Sequence, residues 1–175
     1  MAIDDFSRLA SEHQSRIYTF SYYYLGAAQD AEDVTQEVLV RLWRHHQSVE
    51  TGKLKSWTMS VTRNCCIDVL RKRKRQRDVI GDLSFDEAAE RIADDTQGPS
   101  DQTELSDLRG RLQDAMAQLE EPYRSALVMR EVQQHSYGEI SEALEVPLNT
   151  VKSHIHRGRQ MLRDLLRKES LCEHA

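Results

Sequence analysis

Residues 149–157 carry six side chains suited to reading nucleic acid: Asn149, Thr150, Lys152, Ser153, His156 and Arg157. An Asn amide matches the adenine edge, Lys and Arg donate to guanine acceptors, and hydroxyls reach bases or phosphates. A second candidate is the run RKRKRQR at 71–77, six bases in seven residues. A third spans 152–168, where Lys152, Arg157, Arg159, Arg163, Arg167 and Lys168 face a single acid, Asp164. Clusters of this kind neutralise a phosphate backbone, although each alone is equally compatible with a solvated helix face.

The overall charge points the other way. The 175 residues sum to −5, but ten acids and one base (Arg91) lie between 78 and 107, so two basic segments flank an acidic middle. A phosphate backbone responds to the local clusters rather than to the sum. The chain is 39% hydrophobic and 30% charged with only seven Gly and three Pro, a composition that suits helices. No apolar run reaches the roughly 20 residues of a membrane span, and the first residues, MAIDD, lack the basic and apolar stretches of a secretory signal. Three cysteines without CxxC spacing argue for a reducing compartment, so a cytoplasmic location is expected.

Periodicity supplies the elements that must hold these residues. Phe6, Leu9, Ala10, His13, Ile17, Phe20 and Tyr24 mark one helix face, ended by Gly26. Asp30 is the expected N-cap of a second helix with Val34, Val38 and Leu42 inward, flanked by Leu39 and Trp43. After a loop near 46–55, Trp57, Val61, Cys65 and Val69 define a third helix that ends in the basic run. Residues 78–104 read as an acidic linker, with one helical turn near Phe85–Ile92. In the second half Leu105, Leu108, Leu112, Met116 and Leu119 form a stripe, followed by a helix begun at Pro122 that buries Tyr123, Leu127, Met129 and Val132. Ser136 and Glu139 have capping-box spacing before a short helix, and Val146-Pro147 makes a turn into a helix burying Val151, Ile155, Leu162 and Leu165. A short helix, a tight turn and a basic helix make a helix-turn-helix, whose second helix enters the major groove. The expected fold is all-α: a helical bundle at 1–77, the linker, and a helix-turn-helix domain at 105–170.

YGEISEALEVPLNTVKSHIHRGRQML, from Tyr137, resembles the promoter-binding domain of extracytoplasmic-function (ECF) sigma factors. DAEDVTQEVLVRLWR at 30–44 and SWTMSVTRNCCIDVLRKRKR at 56–75 are similar to that family's second and third helices. Three motifs in the family's order are more specific than a lone helix-turn-helix. The resemblance implies a sigma factor that brings core RNA polymerase to promoter DNA, duplex and melted, for a stress or envelope response. It also implies an anti-sigma partner, no cofactor and no catalytic site. Within it, Asp33, Gln36 and Glu37 would contact the polymerase. Asn64, Asp68, Arg71, Lys72 and Arg75 would serve the −10 element, and Asn149, Thr150, Lys152, Ser153, His156 and Arg157 the −35 element. The loop at 47–55 would receive a base flipped from the melting strand, since an unstacked base needs a cavity and its backbone needs cations.

Some residues depart from the family pattern: Asn149 stands for a common Gly, His154 and His156 for larger residues, and Gly158 for Ala, at about 1 kcal/mol of helix propensity. Elements two duplex turns apart are separated by ~70 Å. A coil of about 27 residues averages ~30 Å but stretches to ~90 Å, so the linker must be held extended. Its acids, Asp94, Asp95 and Asp101 among them, would suit a basic polymerase channel. The competing function is a helix-turn-helix regulator that binds DNA without joining the polymerase. A metal protein is a weaker rival. His154 and His156 lie two apart, not four, and Cys172 with His174 offers an incomplete ligand set.

Overall fold

Gly26 takes a left-handed φ of 72° and donates to the Tyr22 carbonyl at 2.9 Å, closing the first helix where the sequence predicts. The computed structural model describes residues 2–80 and 101–172, with side chains described at 6–79 and 105–168, and all its regular elements are helical. The first half holds α1 (Ala2–Leu25), α2 (Ala28–His45) and α3 (Leu54–Ile80), with a short 3-10 turn, Thr51–Lys53, before α3. The second holds α4 (Asp101–Gln118), α5 (Tyr123–Leu127), a π-helical turn (Val128–Val132), α6 (Tyr137–Leu144) and α7 (Leu148–Cys172). No described helix is long and apolar enough to cross a membrane.

Two expectations are corrected in the first half. Asp30 is not the N-cap of α2. The helix starts earlier, with Ala27 in the cap position and no side-chain cap, and the Asp30 carboxylate pairs instead with Arg73 of α3. The buried face of α3 keeps only Cys65 of the predicted stripe. Thr58, Met59, Thr62 and Cys66 beside it are buried, while Trp57, Val61 and Val69 are only half-buried. The threonines tolerate burial because their hydroxyls donate to Leu54 and Thr58 carbonyls on the same helix, each at 2.7 Å.

In the second half the predicted apolar stripe of α4 is buried only at its end. Met116 and Leu119 are in the core, Leu112 is half-buried, and Leu105 and Leu108 are exposed, because the first turns of α4 extend past the bundle. The helices α3 and α4 occupy the edges of the segment read as a linker; the predicted turn near Phe85–Ile92 and the acids Asp94 and Asp95 lie outside the described residues. Ser136 and Glu139 form the expected capping box: Ser136 Oγ accepts from Glu139 N at 3.2 Å, and Glu139 Oε2 accepts from Ser136 N at 2.7 Å. Glu145 ends α6 in the left-handed region, and Val146 N reaches back to the Ser141 carbonyl at 3.2 Å, a Schellman closure that sets up the turn into α7.

Gly158 is a requirement of packing. A Cβ there would lie 3.0 Å from Cγ and Cδ1 of Leu127, itself fully buried on α5. The α5–α7 crossing is therefore so close that Ala fits only if Leu127 gives way by a few tenths of an ångström, and in a packed core that shift outweighs the gain in helix propensity. Gly158→Ala is expected to lower stability by about 1–2 kcal/mol despite its better propensity. Urea unfolding followed by circular dichroism measures this; an unchanged or raised midpoint would remove the packing argument.

Candidate nucleic-acid interface

Val151 and Ile155 of α7 are buried against α5 and α6, which turns the opposite face outward. Asn149, Lys152, Ser153, His156 and Arg157 are all exposed on that face at three- and four-residue steps, and Thr150 is half-exposed at its edge. The predicted base-reading set is thus brought together on one helix. His154 leaves this face and packs edge-on against Tyr123 at 5.6 Å. Arg159, part of the basic tail, is engaged by Glu131 through two hydrogen bonds to Oε1, the longer at 2.8 Å.

On α3, Asn64, Asp68, Arg71, Lys72 and Arg75 are exposed along a single stripe. Arg63 Nη1 donates to Asn64 Oδ1 at 3.4 Å, and Arg71 pairs with Asp68 at 3.6 Å, contacts weak enough to be exchanged for phosphate. Arg73 behaves differently from its neighbours in the basic run. It is half-buried, bound to Asp30 and donating to the Leu25 carbonyl at 3.3 Å, and its pKa is lowered by burial and by Arg77.

Asp33, Gln36 and Glu37 share the exposed face of α2, and Glu37 binds Arg41 at 2.8 Å. The sequence reading missed Val40, which lies one turn further on the same face and is 46% exposed. Trp43, expected to flank the core stripe, is equally exposed and stacks edge-on with Phe6 at 4.7 Å. An apolar centre beside acids is a better docking surface than acids alone.

The two halves are joined through two polar clusters. In one, Lys55 at the start of α3 reaches Glu139 Oε1 at 2.5 Å, Ser56 Oγ donates to Glu142 Oε2 at 3.0 Å, and Gln133 Nε2 donates to the Arg16 carbonyl at 3.1 Å. The Lys55 hydrogen bond is the main cause that holds the Glu139 carboxyl down at about 2. In the other, Glu121 Oε1 accepts from Tyr24 Oη at 2.5 Å, from Arg63 Nε at 3.3 Å and from Ser125 Oγ. Burial and the Glu121 charge push the Tyr24 phenol well above its ordinary value. Buried Arg124 lies over the Tyr24 ring, 5.1 Å from its centre, and donates to the Leu119 and Ala117 carbonyls that end α4. No sequence pattern announced these contacts, because their partners lie up to 117 residues apart.

The comparisons bear on what these faces do. Residues 9–76 match the model for sigma-70 region 2, and residues 109–162 match that for sigma-70 region 4. The chain is 36% identical to the ECF RNA polymerase sigma factor SigE of Mycolicibacterium smegmatis, over 97% of its own length and 64% of that protein's. It is 31% identical to the ECF RNA polymerase sigma factor SigW of Bacillus subtilis, over 94% of its own length and 90% of that protein's. The chain belongs to the ECF family of RNA polymerase sigma factors. Its fold is the ECF fold. The sigma factor RpoE, solved in complex with the anti-sigma factor NepR from Bartonella quintana, superposes with a TM-score of 0.71 at 25% identity, covering 93% of this chain and 97% of that one. CnrH, solved with the cytosolic domain of CnrY, superposes at 0.69 and 18% identity, over 93% of this chain and 88% of that one.

The Glu121 cluster yields a stability prediction. Glu121→Gln keeps the shape but replaces a carboxylate that receives three donors, one of them charged, so the ECF chain should lose about 1–3 kcal/mol. Urea denaturation at neutral pH measures it; a loss below ~0.5 kcal/mol would mean that the cluster is solvated and contributes little.

Proposed function

We propose that the protein is the promoter-specificity subunit of a bacterial RNA polymerase, acting without chemistry of its own. The observation that carries this reading is the pairing, in one chain, of a region 2 match bearing the exposed α3 stripe with a region 4 match bearing the exposed α7 face. A regulator that only bound DNA would need the second and not the first.

In this reading Asp33, Gln36 and Glu37 of α2, with Val40 one turn beyond them, dock on the core enzyme. Arg71, Lys72 and Arg75 hold the backbone of the opening strand while Asn64 and Asp68 lie beside its bases. Asn149, Lys152, Ser153, His156 and Arg157, with Thr150 at the edge, enter the major groove of the more distant element, where Lys and Arg suit guanine and Asn suits adenine. The anti-sigma factor NepR in the RpoE complex supports an equivalent partner for this chain.

The test is transcription in vitro with sigma-free core polymerase and fragmented genomic DNA. New transcripts starting downstream of a shared two-part element are the expected result; none, despite DNA binding, would return the protein to the regulators. On a promoter found in this way, Lys152→Ala and Arg157→Ala should each lower open-complex formation by roughly tenfold, the worth of about 1–3 kcal/mol for a lost contact. Full activity of the double variant on every promoter would remove the α7 assignment.

A further inference from the structure

Two buried histidines at the junction of the halves have no part in reading DNA or docking polymerase. His13 of α1 is 9% exposed, and His135, just ahead of α6, is 2% exposed. Each keeps a ring nitrogen without a hydrogen-bond partner, Nδ1 of His13 and Nε2 of His135. The charges facing them are mostly positive. His13 feels Arg16 and Glu12 on its own helix and Lys55 from α3. His135 feels Lys55 from α3, Arg16 from α1 and Glu139 from α6, while its carbonyl accepts from Arg130 Nη1 at 2.8 Å. Glu139 is engaged by Lys55 and by Ser136 N; its Oε2 lies 3.6 Å from His135 Nδ1, within ion-pair range, and its pull on a proton there is outweighed by burial and Lys55. A proton on either ring therefore adds a cation to a desolvated junction beside Lys55 and Arg16, where Glu12 and Glu139 offset burial and the two bases only in part.

We propose that the junction is an acid-sensitive latch: neutral His13 and His135 allow α6 to close on α3, and their protonation drives the two halves apart. In the closed form Glu139 and Glu142 occupy Lys55 and Ser56, at the head of α3 beside the 47–55 loop. These carboxylates sit where strand phosphates would compete for the same donors. Closure also holds the helix-turn-helix against the first half, so elements ~70 Å apart cannot be engaged together until the latch opens. That consequence for promoter use rests on the sigma reading; the latch itself does not.

The direction follows from burial. Desolvation, the largest cause, draws His135 down from 6.5 to about 4, and it lowers His13 as well. The closed form thus favours the neutral rings. Its stability is complete above the ordinary histidine value and is lost as the pH falls from there toward 4. With His135 titrating at its ordinary value in the open form, a drop from about pH 7.5 to about 5.5 favours opening by roughly tenfold from this ring alone. His13 acts in the same direction.

Small-angle X-ray scattering of the full chain at those two pH values tests the latch without polymerase or promoter, so its outcome is separate from that of the transcription assay. The radius of gyration should rise reversibly at the lower pH with helix content unchanged by circular dichroism. The His13→Gln, His135→Gln double variant should stay compact at both. A wild-type chain that remains compact, or a double variant that expands equally, would overturn the latch. Should the variant fail to fold, ring-proton NMR of the wild type decides: titration well below the ordinary value in the compact chain supports the latch, and ordinary titration of both rings refutes it.

Discussion

The Glu139 carboxylate is the constraint on which the arrangement turns. It starts α6 by accepting from Ser136 N, and it ties the second half to the first by accepting from Lys55. The two bonds use different oxygens of one short side chain, so the point at which α6 begins and the place where α3 meets it cannot be set independently. In the closed form, hydrogen bonds from Lys55 and Ser136 keep this carboxyl ionised far into acid, so it carries its charge throughout the range in which the histidines around it titrate.

From that anchor the outward faces follow by helical register. With α6 fixed, Val151 and Ile155 must fill the groove behind α7, and the polar set around Lys152 is left on the other side. The contact of Gly158 with Leu127 then sets how deeply α7 sits. In the first half Tyr24 and Arg63 meet Glu121, and Arg73 meets Asp30, so both ends of the exposed α3 stripe are held by ion pairs, one to the α4–α5 turn and one to α2. The reading surfaces themselves carry little stability; the residues behind and beside them do.

Much of this was legible in the sequence wherever the cause was local. The Gly26 stop, the Ser136–Glu139 capping box, the turn at Val146-Pro147 and the two faces of α7 depend on residues within a few positions of one another. The misreadings share the opposite origin. Asp30 has the chemistry of a cap, yet a guanidinium 43 residues away claims it. Thr58 and Thr62 look polar, yet each hydroxyl finds a carbonyl on its own helix and the side chain is buried. Gly158 looks like a weak point until Leu127 is seen against it. Val40 was not singled out because the period of α2 alone does not tell which apolar side chain the bundle leaves uncovered. Both joining clusters were unreadable for the same reason, since each pairs residues from opposite halves.

The engagement of Arg73 by Asp30 also changes the electrolyte behaviour of the α3 stripe. Of the six bases in the run, Arg73 is held in a half-buried ion pair, and five, Arg71 in its loose pair with Asp68, Lys72, Lys74, Arg75 and Arg77, face solvent. Each phosphate that a cation neutralises releases part of a condensed counterion, roughly 0.7 per contact on a single strand, and Arg73 has none to release. In the proposed role, the hold of α3 on an opened strand would therefore weaken with added salt less steeply than its basic residues suggest.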